Sequence, residues 1–134
     1  GFGLGMAKFI ALVMAQGELG VDYTEGPDPD PEAFGLPTAD DGSRDDPLMN
    51  NMVTIPVWGP DPAALRAAGC RVVLGVGEES GQTLAARGAR AVAERSGLDL
   101  VTFPGGHDGF SGGEYGPPGK PVEFAATLRA VLGA

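Results

Sequence analysis

The chain has 134 residues and a mass of 13.6 kDa, with 43% hydrophobic and 20% charged residues, which suffices for one domain core and is short for two. A single cysteine and a single histidine exclude a disulfide framework and leave no usual ligand set for zinc, so neither a metal nor a cofactor is expected. A net charge of −9 disfavours nucleic acid or an anionic membrane as a partner, the longest apolar run, near Phe9 to Ala15, falls short of the roughly 20 residues of a membrane span, and a cytoplasmic protein is the expectation.

The opening Gly1-Phe2-Gly3-Leu4-Gly5 carries no start signal for a helix or strand, and because the first residue is not Met the gene product is expected to begin upstream. Met6 to Ala15 is apolar almost all round and built from good helix formers, which predicts a helix buried on several sides and closed near Gly17. Between Glu18 and Asp46 ten acidic residues face one base, Arg44, and the segment contains Gly26-Pro27-Asp28-Pro29-Asp30-Pro31. Such a stretch reads as an irregular, solvated excursion, with an acidic binding surface as the other reading. From Asp46 to Trp58 the text is mixed, and Pro47 and Pro56 discourage a long element.

Asp61-Pro62 is an N-cap followed by proline at the first helical position, and Gly69 is a terminator, so Pro62 to Ala68 is predicted as a short helix. Cys70 to Val76 reads as a strand covered on both faces. Ser80 is expected to cap a second helix bearing Leu84, Gly88, Ala91 and Val92 at helical spacing, which stops at Gly97. A second buried strand, Leu98 to Phe103, leads into the loop Pro104-Gly105-Gly106-His107-Asp108-Gly109-Phe110, and Pro121 opens a last helix with Phe124, Leu128, Val131 and Leu132 on one face.

Strand, helix, strand, loop and helix make a right-handed βαβ crossover with a closing helix, so the fold class is α/β with a parallel sheet. Two strands are few for a sheet of that kind. The chain is therefore expected to be the end of a larger sheet whose other strands lie in a segment outside these residues or in a complementing chain, with a homo-oligomer as a further arrangement. Residues 1–60 and 61–134 form its two parts.

His107, the single histidine, follows a parallel strand in a Gly-rich loop, and α/β sheets place their sites at the carboxyl ends of such strands. The next strand end carries Glu78 and Glu79, close enough in a βαβ unit for either to orient the imidazole. Both also suit the first turn of a helix as solvated carboxylates. Gly75-Val76-Gly77 lacks the third glycine of a dinucleotide loop because position 80 is Ser80, and no P-loop lysine is present.

Through Arg71-Val72-Val73-Leu74-Gly75-Val76-Gly77-Glu78-Glu79-Ser80 and Val101-Thr102-Phe103-Pro104-Gly105-Gly106-His107-Asp108-Gly109-Phe110, the stretch from Ala63 to Ala134 resembles the C-terminal half of an α/β-hydrolase. The resemblance implies the last part of a mostly parallel, doubly wound sheet, with residues 1–60 as the helical and irregular cap segment. It implies hydrolysis of an ester or related acyl bond in a small apolar substrate. His107 would be the general base. Glu79 would be the orienting acid, with Glu78 as second choice, since the usual acid position is occupied by Ser80. Gly109-Phe110-Ser111-Gly112-Gly113 matches G-x-S-x-G, yet no apolar strand runs straight into Ser111 and no helix can follow through Gly116-Pro117-Pro118, so the nucleophile is expected outside the chain. Trp58, Phe2, Phe9, Phe34 and the methionines 6, 14, 49 and 52 would line an apolar pocket or form an ordinary core. The other readings are a non-catalytic ligand-binding or interaction module on the same fold, and a free-standing flavodoxin-like domain.

Overall fold

The computed structural model describes residues 1–20, 22–52, 57, 59–114 and 116–133. Two compact units divide the chain at Gly59 and Pro60.

In the first unit, helix α1 spans Phe2–Met14. It begins four residues before the expected start because its glycines serve the packing. A side chain at Gly3 would collide with the Pro37 carbonyl, and a Cβ at Gly5 would lie 2.5 Å from Met49 Cε. The loss of helix propensity at glycine, about 1 kcal/mol, is thus exchanged for close approach of two later segments. Among the described residues the acidic stretch is irregular, with two 3₁₀ turns, Tyr23–Glu25 and Pro31–Phe34, neither containing a buried residue. Lys8 of α1 holds it through a 2.6 Å ion pair with Asp28. A short helix α2, Pro47–Met52, opens where Asp46 Oδ1 accepts the Met49 N–H at 3.0 Å. Trp58 lies outside the described residues.

The second unit runs α3 (Pro62–Arg66), β1 (Val73–Gly77), α4 (Leu84–Ser96), β2 (Asp99–Phe103) and α5 (Pro121–Leu132). Asp61 caps α3, its carboxylate accepting the Ala63 N–H at 2.8 Å. β1 and β2 pair in parallel, Val73 opposite Asp99 through Gly77 opposite Phe103, and α4 makes the crossover between them. The class is α/β, with a two-stranded parallel sheet among the described residues.

Four expectations are corrected. β1 starts at Val73 and not Cys70. Ser80 does not cap α4: Thr83 stands at that position, and Ser80 instead accepts the Thr83 N–H in a turn. The buried face of α4 is Ala86, Ala93 and Ser96, nearly opposite the expected stripe, and Leu84 is 46% exposed. Small side chains let the helix backbone approach the sheet, where the bulkier Leu84 would hold it off. Finally β2 is not buried: Asp99, Leu100 and Thr102 are exposed, and α5 contains no buried residue.

Candidate functional site

The site lies where the carboxyl ends of β1 and β2 meet. The turn after β1 is fastened to the loop after β2 by the Glu78 N–H donating to the Phe103 carbonyl at 2.8 Å and the Glu79 N–H donating to the Gly105 carbonyl at 3.0 Å. Only glycine allows this approach at Gly77, where a Cβ would stand 2.5 Å from both the Gly106 carbonyl oxygen and Ser80 Oγ. Gly105 takes a φ of +87° with its Cβ direction closed by Gly109, and the Lys120 N–H donates to the Gly109 carbonyl at 2.8 Å. The loop carrying His107 is therefore held at both ends by backbone bonds.

His107 is exposed and, with Gly77, Ser80, Gly106 and Phe110, lines one end of a hollow of about 670 Å³. Phe124 of α5 closes the neighbouring wall, its ring 4.7 Å from that of Phe103 and 5.9 Å from that of Phe110. These offset and edge-on contacts fix the aromatic side of the site.

The two carboxylates divide differently from the expectation. Glu79 Oε1 forms an ion pair with Lys120 Nζ at 2.5 Å, and that hydrogen bond, with the nearby charges of Glu79 and Glu78, raises the Lys120 amine above its ordinary pKa. Both partners are substantially exposed, so the pair orients the loop more than it stabilises the fold. Among the described residues neither Glu78 nor Glu79 hydrogen-bonds His107. The structure brings the strand-end loops together but turns the carboxylate of Glu79 to an amine.

Ser111 is not on an elbow. Its hydroxyl donates to Glu114 Oε2 at 3.2 Å, the Gly112 N–H donates to the same oxygen at 2.8 Å, and the next helix begins at Pro121. Backbone N–H groups of Glu114 and Gly112, then the Ser111 hydroxyl, hold the Glu114 carboxyl below its usual range. A serine donating to a carboxylate in an exposed turn has no imidazole to take its proton.

One residue escaped the sequence reading. Lys120, one of two lysines in the chain, stands directly before the proline that opens α5, and that placement beside the histidine loop was its signal. Ser80, expected as a helix cap, is instead 6% exposed and lines the same hollow as His107. The expected apolar lining of the first unit is partial: Phe2 and Met49 line a second hollow of about 600 Å³ among polar neighbours such as Asp41 and Arg44, and Phe2, like Phe9, Met14 and Phe34, is exposed. Among the described residues no group of three or more His, Cys, Asp or Glu is placed to hold a metal ion, and no helix is long and apolar enough to cross a membrane. No family model, curated protein or solved structure matches the chain.

Proposed function

We propose that the chain is the cap and C-terminal sheet portion of an α/β-hydrolase-like protein that cleaves an ester or related acyl bond of a small, largely apolar substrate. The observation that carries this reading is the position of His107: an exposed imidazole on a loop fastened at both ends, at the carboxyl ends of two parallel strands, beside an aromatic wall.

In this reading a serine contributed by polypeptide outside these residues attacks the substrate carbonyl while His107 takes the hydroxyl proton. The tetrahedral oxyanion collapses, and the imidazolium returns that proton to the departing alcohol. Water then attacks the acyl-enzyme with His107 again as base, releasing the acid and restoring the serine. Glu79 is the orienting carboxylate once it exchanges Lys120 for the imidazole, and Glu78 is the alternative. Residues 1–60 are assigned as the cap segment of that fold.

The Lys120–Glu79 ion pair favours a second reading, a hydrolase-like module that binds a ligand without cleaving it, since it occupies the acid the triad needs. Assay of the complete gene product on a short-chain p-nitrophenyl ester separates the two. His107→Ala is expected to lower kcat/KM by about a thousandfold or more with an unchanged circular dichroism spectrum. Equal turnover by variant and parent removes His107 from catalysis.

A further inference from the structure

Ser80 is 6% exposed, yet its hydroxyl makes no hydrogen bond to a described residue. The backbone fixes its place: the Ser80 N–H donates to the Gly77 carbonyl at 3.1 Å, and the Ser80 carbonyl accepts the Thr83 N–H at 3.2 Å. A Cβ built on Gly77 would stand 2.5 Å from both Ser80 Oγ and the Gly106 carbonyl oxygen, so the hydroxyl lies close to the residue that precedes His107. Ser80 and His107 both line the hollow. A hydroxyl withdrawn from water costs free energy until an oxygen or nitrogen of suitable kind meets it.

The first turn of α4 reaches the same hollow through Ala85 and Ala86. The N–H groups of a first turn have no partner within the helix, and here the cap is missing: Thr83 stands at the N-cap without a side-chain bond to them, and its own buried Oγ1 is unpartnered among the described residues. The Ser80 hydroxyl, these N–H groups and the positive end of the helix dipole therefore favour a negatively charged oxygen. No Asp or Glu is among the described lining residues, and of the two carboxylates on the turn Glu79 is held by Lys120 at 2.5 Å. The remaining surface is aromatic. Phe103, Phe110 and Phe124 line the hollow, and Phe110 is 64% exposed although its ring meets Phe124 edge-on, which leaves it a face for a further ring.

We infer that this end of the hollow binds a small aromatic carboxylate, its carboxylate accepting from the Ser80 hydroxyl and the first turn of α4 and its ring against Phe103 and Phe110. Ser80 is then the residue that selects for the acid, because its hydroxyl is the buried side-chain donor fixed beside the histidine loop. The inference deepens the hydrolase reading and rests on it in one respect: the aromatic acid is the acyl half of the ester, released when water cleaves the acyl-enzyme. Recognition of the acid itself needs only the residues named.

Benzoate titrated into the complete gene product, followed through residue-resolved amide chemical shifts, tests this. Benzamide keeps the shape without the charge, and cyclohexanecarboxylate keeps the charge without the ring. Benzoate is expected to move the amides of Ser80, Ala85, Ala86 and His107 and to leave those of α1 in place. It is expected to bind about tenfold more tightly than benzamide and about fivefold more tightly than cyclohexanecarboxylate. Ser80→Ala, with an unchanged circular dichroism spectrum, is expected to weaken benzoate about tenfold or more. The inference is overturned if benzoate moves none of the four amides, binds no better than benzamide, or binds parent and variant equally; the ligand series on the parent does not depend on the variant folding. Benzoate binding as expected without His107-dependent hydrolysis of phenyl benzoate leaves the site standing and removes the hydrolase reading. His107-dependent ester hydrolysis without benzoate binding does the reverse.

Discussion

The two halves of the chain are held together by different physics. In Pro60–Ala134 helices and strands meet through small residues and glycines: Ala86 and Ala93 against the sheet, and Gly77 against Gly106. In Gly1–Gly59 the single long helix is met by irregular, strongly acidic chain, fixed at points by Lys8–Asp28 and by Arg44, whose two nitrogens bond the two Asp40 oxygens at 3.0 and 2.9 Å. In the second unit, backbone hydrogen bonds from these close approaches fasten the loop that carries His107 at both ends. Point ionic contacts between exposed groups fix a path but contribute little stability. The difference makes the second unit the place where side chains are held closely enough for the proposed site, and leaves the first with a largely solvated acidic surface.

The largest expected effect sharpens the acid assignment in the second unit. Glu79→Gln and Glu78→Gln, assayed side by side for ester hydrolysis, are expected to show one loss of about a hundredfold or more and one small loss. Two small losses remove both from the triad. Next, Gly77→Ala forces a methyl group onto the Gly106 carbonyl and Ser80 Oγ, at a cost of about 1–3 kcal/mol in urea unfolding and with a loss of activity through the displaced His107 loop. An unchanged midpoint would mean that the loops are not so fastened.

The smallest effect belongs to the first unit. The Arg44 guanidinium, then the Gly42 N–H, hold Asp40 well below the usual carboxylate range. A carboxyl depressed on folding contributes its stability above its ordinary pKa, near 4, and loses it as pH falls further. Asp40→Asn is therefore expected to differ from the parent only slightly at neutral pH, because the group is exposed, and not at all in strong acid. A large melting-temperature change at pH 7 would show the acidic region to be a packed element.

The βαβ core was legible because its signals are local: Asp61-Pro62 before α3, Gly97 closing α4, and the apolar run of β1. The facing of α4 was not, since hydrophobicity pointed to Leu84 while contact with the sheet selected the smaller Ala86 and Ala93. α1 began early because Gly3 and Gly5 answer to Pro37 and Met49, residues more than thirty positions away. Of the site, the histidine and its neighbouring strand end were readable from order along the chain. The Glu79–Lys120 pair was not, because it spans 41 positions and depends on how the loop before α5 folds back.

The central claim, that His107 serves a serine contributed from outside these residues, is tested most directly by treating the complete gene product with a fluorophosphonate and mapping the modified peptide. The account predicts one labelled serine outside residues 1–134, modified far more slowly in His107→Ala. Label on Ser43, Ser80, Ser96 or Ser111, or no label on a protein that binds the ester intact, would contradict it.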